Sequence, residues 1–288
     1  MILVTGATGH LGKATIDSLL EKGTPAGSIA ALVRSENKAT ELKDKGVQIR
    51  VADYTDYKAL KIALAGVEKL LLVSSSDMSD RLTQHKNVIN AAIENGVKHI
   101  AYTSIDINDF ETTAIPYVTQ IHIDTANFLK GTGIPYTLLN NNLYADLVPM
   151  FAGENVLETG IFFPAGNGKT PFAARTDMAA AAAVVLTTPG HENKEYAIRA
   201  VVAYSFAEIA KMLSEISGKE IKYHAPNADA YISELVKAGV PKESAAFYAR
   251  FGVAIGNKEF ETKHSDLKTL LGREPIGLKE FLKSIYSK

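Results

Sequence analysis

The most constraining feature of the chain is a glycine-rich turn between an apolar strand pattern and a helical pattern. The turn Thr5–Gly12 follows the apolar run Met1–Val4 and opens the helical pattern Leu11–Leu20. Gly6 allows a tight reversal, Gly9 leaves room for a pyrophosphate beside the backbone, and Gly12 allows close helix packing. Free N–H groups at the helix start then face the phosphates. A plain strand-to-helix turn is the alternative to a dinucleotide site, whose predicted residues are Gly6, Thr8, Gly9, His10, Leu11 and Gly12.

Composition excludes several classes of function. The chain of 288 residues is 46% hydrophobic and 22% charged, which is typical of a globular protein of one large domain or two intimate ones. A formal net charge of -1 argues against a nucleic-acid or membrane-surface partner. The absence of cysteine excludes disulfides and thiolate chemistry, and the histidine spacing gives no metal motif. The longest apolar run, Met178–Leu186, is too short to span a bilayer, so we expect a cytoplasmic protein.

The first half of the chain alternates strand and helix patterns. Its strands are continuous apolar runs, which is typical of parallel strands covered on both faces: Ile2–Thr5, Ser28–Val33, Val47–Val51, Lys69–Ser74, His99–Thr103 and Tyr136–Leu139. The helices between them are predicted at Leu11–Lys22, Asn37–Lys45, Tyr57–Leu64, Arg81–Asn95 and Ile123–Lys130. A glycine follows each helix at the position that favours a left-handed residue: Gly23, Gly46, Gly66, Gly96 and Gly131. The pattern predicts an α/β fold with a Rossmann-type, doubly wound parallel sheet.

The pattern changes after about Asn140. A loop-rich stretch is followed by an alanine-rich helix from Asp177 to Leu186, further short strands, and a mostly helical remainder, Ala228–Tyr286. We therefore predict an NAD(P)-binding Rossmann domain at residues 1–150 and a smaller, mostly helical substrate-side lobe at residues 151–288. The boundary is soft, because some elements of the second half can return to the first sheet.

The end of the second predicted strand indicates which nucleotide is bound. In dinucleotide-binding folds a side chain at this strand end contacts the adenosine ribose. Here that residue is Arg34, 22 residues after Gly12. Its planar fork suits a 2′-phosphate and favours NADP(H), while an ordinary solvated arginine is the alternative. Asp53, at the end of the third strand, can accept from the adenine amino group or form a turn or helix cap.

Hydroxyl side chains follow the fourth and fifth strands, where ligands collect in open α/β sheets. Ser74, Ser75 and Ser76 follow one strand, and Thr103 ends the next. We predict that Ser74, Ser75 and Thr103 contact the ribose or the nicotinamide carboxamide. Capping of the following helices is an equally good interpretation.

With these residues placed, the chain resembles the NmrA-like group of atypical short-chain dehydrogenase/reductases. Within that group it is similar to the type 2 quinone reductases and to the reductases of triphenylmethane dyes. The matching segments are spread over nearly the whole chain: Thr5–Gly12, Gly66–Leu72, Gly96–Ser104, Gly133–Leu139, Gly166–Lys169, Arg175–Asp177, Gly190–Lys194 and Ser217–Lys219. The resemblance implies NADP(H) as cofactor and a small quinone-like or aromatic molecule as substrate.

Two departures from the wider superfamily concern the reacting end of the site. Tyr117 has Ile121 four residues on instead of the lysine of a Tyr-x-x-x-Lys pair, and His122 takes the lysine-like position. The quinone reductases resembled here also lack that pair. Asn140 stands where close relatives usually carry arginine, so any contact made by that charge is missing. Asn141 and Tyr144 match the family and are expected to face the nicotinamide.

The chemistry of quinone reduction agrees with the missing acid pair. Hydride addition to a quinone gives a weakly basic phenolate, and addition to a triarylmethyl cation needs no proton, so positioning can suffice. We predict His122, Tyr144 and Asn141 at the reacting end, with His122 donating a proton or a hydrogen bond. His122 as a packing residue is the alternative. Four aromatic residues can either line a pocket for the acceptor or simply pack in the core: Tyr117, Tyr144, Phe151 and Phe162.

The sequence thus predicts an NADPH-dependent oxidoreductase that transfers hydride directly to a quinone or similar conjugated electrophile, without flavin or metal. A reductase of triphenylmethane-type dyes is a close alternative. A redox sensor that binds NADP(H) without turnover is a different class, which the missing acid pair and Asn140 leave open. A sugar-nucleotide epimerase is disfavoured because that reaction needs the proton shuttle. We expect a monomer or a homodimer, with no membrane or nucleic-acid partner.

Overall fold

A computed structural model describes residues 1–75, 77 and 80–287, so Ser76 lies outside the described residues. Its centre is a seven-stranded sheet. The strands of this sheet are β1 (Ile2–Val4), β2 (Ile29–Val33), β3 (Gln48–Val51), β4 (Lys69–Leu72), β5 (His99–Ile105), β6 (Tyr136–Asn141) and β9 (Lys194–Ile198). They pair in the order β3-β2-β1-β4-β5-β6-β9, with every neighbouring pair parallel. This is the predicted doubly wound sheet. The strand order reverses between β1 and β4, and a crevice forms beyond the carboxyl ends at such a point.

Helices cover both faces of the sheet, so every residue of a central strand such as β2 is buried. The helices of the first part of the chain are α1 (His10–Glu21), α2 (Thr40–Asp44), α3 (Tyr57–Ala63), α4 (Arg81–Glu94) and α5 (Pro116–Gly131). Those of the later part are α6 (Val148–Ala152), α7 (Val156–Thr159), α8 (Arg175–Thr187), α9 (Phe206–Ser217), α10 (Ala228–Lys237), α11 (Lys242–Gly256), α12 (Leu267–Leu271) and α13 (Leu278–Tyr286). Helices α1 and α8, which contact each other, cover one face of the sheet, and α3, α4 and α5 cover the other.

A second hydrophobic core joins the later helices to the carboxyl edge of the sheet. It contains apolar residues from the end of β5, from the segment that follows β6, and from α6, α9, α11 and α13. Two small sheets brace it, pairing β8 (Lys169–Thr170) with β10 (Tyr204–Ser205) and β7 (Ile161–Phe162) with β11 (Tyr223–His224). This second core therefore lies beside the crevice. No helix in the described part of the chain is long and apolar enough to cross a membrane.

The structure corrects two local predictions and resolves one open point. Helix α5 begins at Pro116 rather than near Ile123, since proline is favoured in the first helical turn. Gly131 is the last helical residue, and Gly133 instead takes the left-handed conformation, with φ of 76°. Strand β9 and helix α8 return to the first sheet and its core, as the soft boundary allowed. The division at residue 150 stays a prediction.

Candidate functional site

The glycine turn after β1 is held by contacts that leave no room for side chains. Gly6 has a φ of 57°, and its carbonyl accepts from the Gly9 N–H at 2.9 Å. A Cβ on Gly12 would lie 2.8 Å from the Gly6 carbonyl carbon, and one on Gly9 would lie 3.2 Å from the Gly6 oxygen. Gly12 therefore packs against the turn itself, a closer contact than the predicted one between helix and strand.

Helix α1 begins above this turn without a cap. Gly9 is its N-cap and supplies no side-chain acceptor, and the first turn has no acidic residue. Thr8, Gly9 and His10 are exposed, whereas Leu11 is buried and anchors the helix. The helix dipole and its first N–H groups thus face the crevice, which is the arrangement that binds anions.

Arg34 and Asp53 lie at the ends of the neighbouring strands β2 and β3. Arg34 is exposed and makes no side-chain hydrogen bond or ion pair with the residues that the structure describes. Asp53 Oδ1 accepts from the Thr55 hydroxyl at 2.7 Å and from its N–H at 2.9 Å. These bonds hold the pKa of Asp53 below its usual range, with a smaller contribution from the Arg34 charge. Asp53 thus stabilises a turn, which is one of the two roles that the sequence suggested for it. A contact between Asp53 and adenine stays a prediction.

Two threonine hydroxyls bind the loop after β4 at the carboxyl edge of the sheet. Thr5 Oγ1 accepts from the Val73 N–H at 2.9 Å, and Thr103 Oγ1 accepts from the Ser74 N–H at 2.8 Å. They replace ladder bonds where the loop after β4 leaves the sheet, and this keeps buried N–H groups paired. Thr103 is 4% exposed, so it supports this loop from below. Its predicted contact with the cofactor is untested.

His85 on α4 anchors the next residue of this loop. Its Nε2 accepts from the Ser75 N–H at 3.0 Å, so its Nδ1 carries the proton and donates to Thr125 Oγ1 at 2.9 Å. Burial, with a smaller effect of the Arg81 charge, lowers the pKa of His85 to about 3. Sequence reasoning assigned no role to this histidine.

His122 belongs to a buried network centred on Arg81. Arg81 donates to His122 Nε2 at 3.0 Å, so the proton of the neutral ring is on Nδ1 and is donated to Tyr102 Oη at 2.9 Å. Arg81 also donates to Ser74 Oγ, from Nε at 3.1 Å and from Nη2. Burial first, and then the charge of Arg81, hold the pKa of His122 well below its ordinary value. A neutral imidazole is not charged to act as an acid near neutral pH, so proton donation by His122 is not supported. A role in positioning or packing its neighbours agrees with the structure.

Tyr144 and Asn141 come together at the end of β6. The Asn141 side chain lies beside the Tyr144 hydroxyl, whose pKa is raised chiefly by burial. The Arg175 guanidinium stacks over the Tyr144 ring, 4.6 Å from its centroid, and is paired with Asp146 at 3.1 Å. Asn140, in the same strand, lies between Ser104 of β5 and Ala197 of β9.

Three of the candidate aromatic residues, Phe151, Phe162 and Tyr117, belong to the second hydrophobic core or pack against it. Phe151 is 3% exposed and stacks on Phe163 at a centroid distance of 4.9 Å, so it is a core residue. Phe162 stacks on His224 at 5.4 Å within the second lobe. Tyr117, in the first turn of α5, has Arg250 over its ring, and its buried hydroxyl has no hydrogen-bond partner within residues 1–75, 77 and 80–287.

Most of the predicted site residues, together with Arg81 and Tyr102, fall into two groups. The turn side comprises Gly6–Gly12, Arg34 and Asp53. The network side comprises Ser74, Arg81, Tyr102, His122, Asn141 and Tyr144. Arg81 was missed by sequence reasoning because an arginine at the start of a helix gives no sign of burial, yet it is 6% exposed. In the described part of the chain, no group of three His, Asp or Glu is placed to hold a metal ion.

The turn side fits a phosphorylated dinucleotide. The glycine turn is packed too closely to accept a Cβ at Gly9 or Gly12, the helix start is uncapped, and the guanidinium of Arg34 is exposed at the end of β2. These are the backbone and side-chain donors that a pyrophosphate and a ribose phosphate need.

Comparisons with known proteins agree with this geometry. Residues 1–282 match the NmrA-like family model. The chain is 39% identical to quinone oxidoreductase 2 of Escherichia coli over 288 residues, covering 100% of this chain and 99% of that protein. The crystal structure of NADPH-dependent quinone oxidoreductase QOR2 from that organism, complexed with NADPH, has a TM-score of 0.93 at 38% identity over 100% of both chains. Triphenylmethane reductase of Citrobacter sp., complexed with NADP(H), has a TM-score of 0.90 at 40% identity over 99% of both chains.

Proposed function

Because the chain belongs to the NmrA-like family, we propose that it is an NADPH-dependent oxidoreductase that reduces quinones or similar conjugated electrophiles. The observation that carries this proposal is the uncapped helix start over the glycine turn, in a chain similar along its whole length to a quinone reductase solved with NADPH. The resemblance stated from the sequence motifs is confirmed. The same similarity favours an oxidoreductase over a sensor without turnover.

The turn side would hold the nucleotide. We assign the pyrophosphate to the backbone of Gly6, Gly9 and Gly12 with the flanking Thr8, His10 and Leu11. Arg34 would bind the 2′-phosphate, since its exposed fork can donate two hydrogen bonds to one phosphate. Asp53 is assigned to the adenine end, and Ser74, Ser75 and Thr103 to the nicotinamide end. When bound, NADPH supplies the hydride.

The network side would position the acceptor rather than protonate it. His122 is neutral, with both ring nitrogens engaged by Arg81 and Tyr102. Ser74 Oγ accepts from Arg81, and the Ser74 side chain also lies beside the Tyr102 hydroxyl. Asn141 and Tyr144 offer an amide and a neutral phenol at the end of β6. A phenolate product is basic enough to take its proton from water, so this set of groups is sufficient.

A steady-state assay tests the proposal. NADPH consumption is followed with para-benzoquinone and with crystal violet, a cationic triphenylmethane dye, each against a blank without protein. We expect saturable turnover with the quinone and a lower KM for NADPH than for NADH. Tight NADPH binding without turnover of either acceptor would overturn the proposal and favour the redox sensor.

Dye reduction is a second candidate activity. It is supported by the triphenylmethane reductase, which matches this chain over 99% of both lengths. A cytoplasmic location, a monomeric or homodimeric state and the division into two domains at residue 150 also remain proposals. Cell fractionation, light scattering and limited proteolysis test these three in turn.

A further inference from the structure

The segment that opens helix α8 binds Tyr144 by both its backbone and its ring. The backbone of Tyr144 forms a parallel bridge with Ala173, and the neighbouring Ala145 N–H donates to the Ala173 carbonyl at 2.8 Å. The guanidinium of Arg175, the first residue of α8, lies over the Tyr144 ring at 4.6 Å from its centroid. Residues 173–175 therefore fix both the backbone of Tyr144 and one face of its ring.

Arg175 is itself held in place by Asp146. The Asp146 carboxylate accepts from the Arg175 backbone N–H at 2.9 Å and from Arg175 Nη1 at 3.1 Å. The side chain of Arg175 is 15% exposed, so the ion pair and the stacked ring lie largely out of solvent. A guanidinium over an aromatic face attracts it more strongly where water is excluded. We therefore expect the Arg175–Asp146 pair to restrict the rotation of the Tyr144 side chain.

The hydroxyl of Tyr144 lies at the other end of this restrained ring, beside the Asn141 side chain. Burial raises the pKa of the hydroxyl, with smaller opposing effects of Asn141 and of the Arg175 charge, so Tyr144 stays a neutral hydrogen-bond donor. A donor aimed at a carbonyl oxygen binds it more strongly as the oxygen gains negative charge during hydride transfer. That gain depends on the orientation of the ring, because hydrogen bonds weaken steeply when they are misaligned.

The same helical turn is anchored on its opposite side by Asp177. Residues two apart in a helix are rotated by about 200°, so Arg175 and Asp177 point in opposite directions. Asp177 is fully buried and accepts from Arg273 Nη2 and from the Ile276 N–H, both at 2.6 Å. The start of α8 is therefore fixed to the segment before α13 independently of its contact with Tyr144.

Resting on the proposed function, which assigns Tyr144 to the acceptor, we propose that Arg175 is a positioning residue that aims the Tyr144 phenol at the carbonyl oxygen of the acceptor. A quinone that gains hydride becomes a hydroquinone monoanion, which takes one proton from water, while NADPH is oxidised to NADP+. Tyr144 donates a hydrogen bond in this step and keeps its proton. Arg175 acts only through Tyr144.

A double-mutant cycle tests the proposal, with kcat/KM for para-benzoquinone as the measured quantity. Tyr144→Phe removes the hydroxyl and keeps the ring. Arg175→Gln removes the stacked cation and keeps the backbone N–H that Asp146 binds. We expect each single variant to lose about tenfold or more, mainly in kcat, and the double variant to lose little beyond Tyr144→Phe alone.

The matched control is Arg50→Gln. Arg50 is a half-buried cation in β3, at the opposite end of the sheet from β6, and it donates to Gln48 at 3.2 Å. The control changes the net charge as Arg175→Gln does, and we expect it to leave kcat/KM unchanged. Arg175→Ala replaces Arg175→Gln in the cycle if the glutamine variant does not fold.

Nuclear magnetic resonance of protein labelled at the tyrosine Cζ atoms gives a readout that does not depend on turnover. The signal that is absent from Tyr144→Phe identifies Tyr144. In Arg175→Gln this signal should broaden or split as the ring samples a second orientation, whereas in Arg50→Gln it should stay as it is in the unaltered protein.

The outcomes separate the two proposals. If Arg175→Gln keeps full activity, if the losses in the cycle are additive, or if the Tyr144 signal is as sharp without Arg175 as with it, the inference is overturned and the proposed function stands. If the unaltered protein reduces no quinone, the proposed function fails and the inference falls with it.

Discussion

The turn side of the crevice is built from backbone, whereas the network side is built from buried side chains. On the turn side, Gly6 and Gly12 meet within seven residues of sequence, and Arg34 stands exposed at a strand end. On the network side, Ser74, Arg81 and His122 come from three separate elements and are joined by hydrogen bonds. Changes to the turn side should therefore act mainly on nucleotide binding, and changes to the network side on acceptor choice and acid stability.

The largest effect is expected from Gly12→Val. Its Cβ would lie 2.8 Å from the Gly6 carbonyl carbon, and backbone on both sides of the contact leaves little room to relax. We expect unfolding free energy to fall by about 3 kcal/mol, and the NADPH Kd to rise by about a hundredfold as the turn is displaced. Urea unfolding and fluorescence titration measure the two quantities.

A matched control is Gly131→Ala. This glycine is helical, and an added Cβ would meet nothing within 4 Å. Because alanine is the better helix former, stability should rise by up to about 1 kcal/mol with NADPH affinity unchanged. Equal NADPH affinity in both variants would show that the turn does not bind the nucleotide.

Arg34→Ala should have the next largest effect. A charge-assisted bond to a phosphate contributes about 1.5–3 kcal/mol, so the NADPH Kd should rise about tenfold to a hundredfold while the NADH Kd changes little. Isothermal titration of both nucleotides measures the difference. Equal affinities for NADPH and NADH in the unaltered protein would contradict the assignment of Arg34 to the 2′-phosphate.

The two sides also differ in how far sequence could predict them. The turn side is local: Gly6, Gly12 and Arg34 lie at fixed offsets along one strand-helix-strand unit, so periodicity and spacing place them. The network side depends on which residues of α4 and α5 meet beneath the loop. His122 was proposed from the resemblance, but its partner Arg81 is 41 residues away, and no sequence pattern indicates their hydrogen bond. The prediction also missed the first two turns of α5, because Tyr117 and Val118 in these turns pack against residues of the second hydrophobic core that lie far along the chain.

Acid should destabilise the folded chain through His85, the buried histidine that binds the loop after β4. The pKa of His85 is about 3 in the folded chain, against about 6.5 when unfolded, so between these pH values only the unfolded chain binds the proton. Stability is therefore full above pH of about 6.5 and falls below it by up to about 1.4 kcal/mol per pH unit from this residue. Denaturant unfolding between neutral pH and about pH 5 measures the slope.

The variant His85→Gln isolates this contribution. The glutamine carbonyl can accept from the Ser75 N–H as the imidazole does, but it does not titrate. The pH slope of stability should become shallower by about one proton. An unchanged slope would mean that His85 is protonated without cost in the folded chain, contrary to its burial.

The smallest effect is expected from Tyr117→Phe, and its value lies in the contrast with Tyr102→Phe. Tyr102 Oη accepts the Nδ1 proton of His122, so its removal leaves a buried donor unpaired and should cost about 1–3 kcal/mol. Tyr117 Oη has no partner in the described residues, and its removal should leave the stability of the free protein equal or higher by up to about 1 kcal/mol. Thermal unfolding of both variants, with acceptor KM measured alongside, makes the comparison. A several-fold rise in KM without loss of stability would identify the Tyr117 hydroxyl as an acceptor contact, whereas a loss of stability as large as that of Tyr102→Phe would mean that it has a structural partner instead.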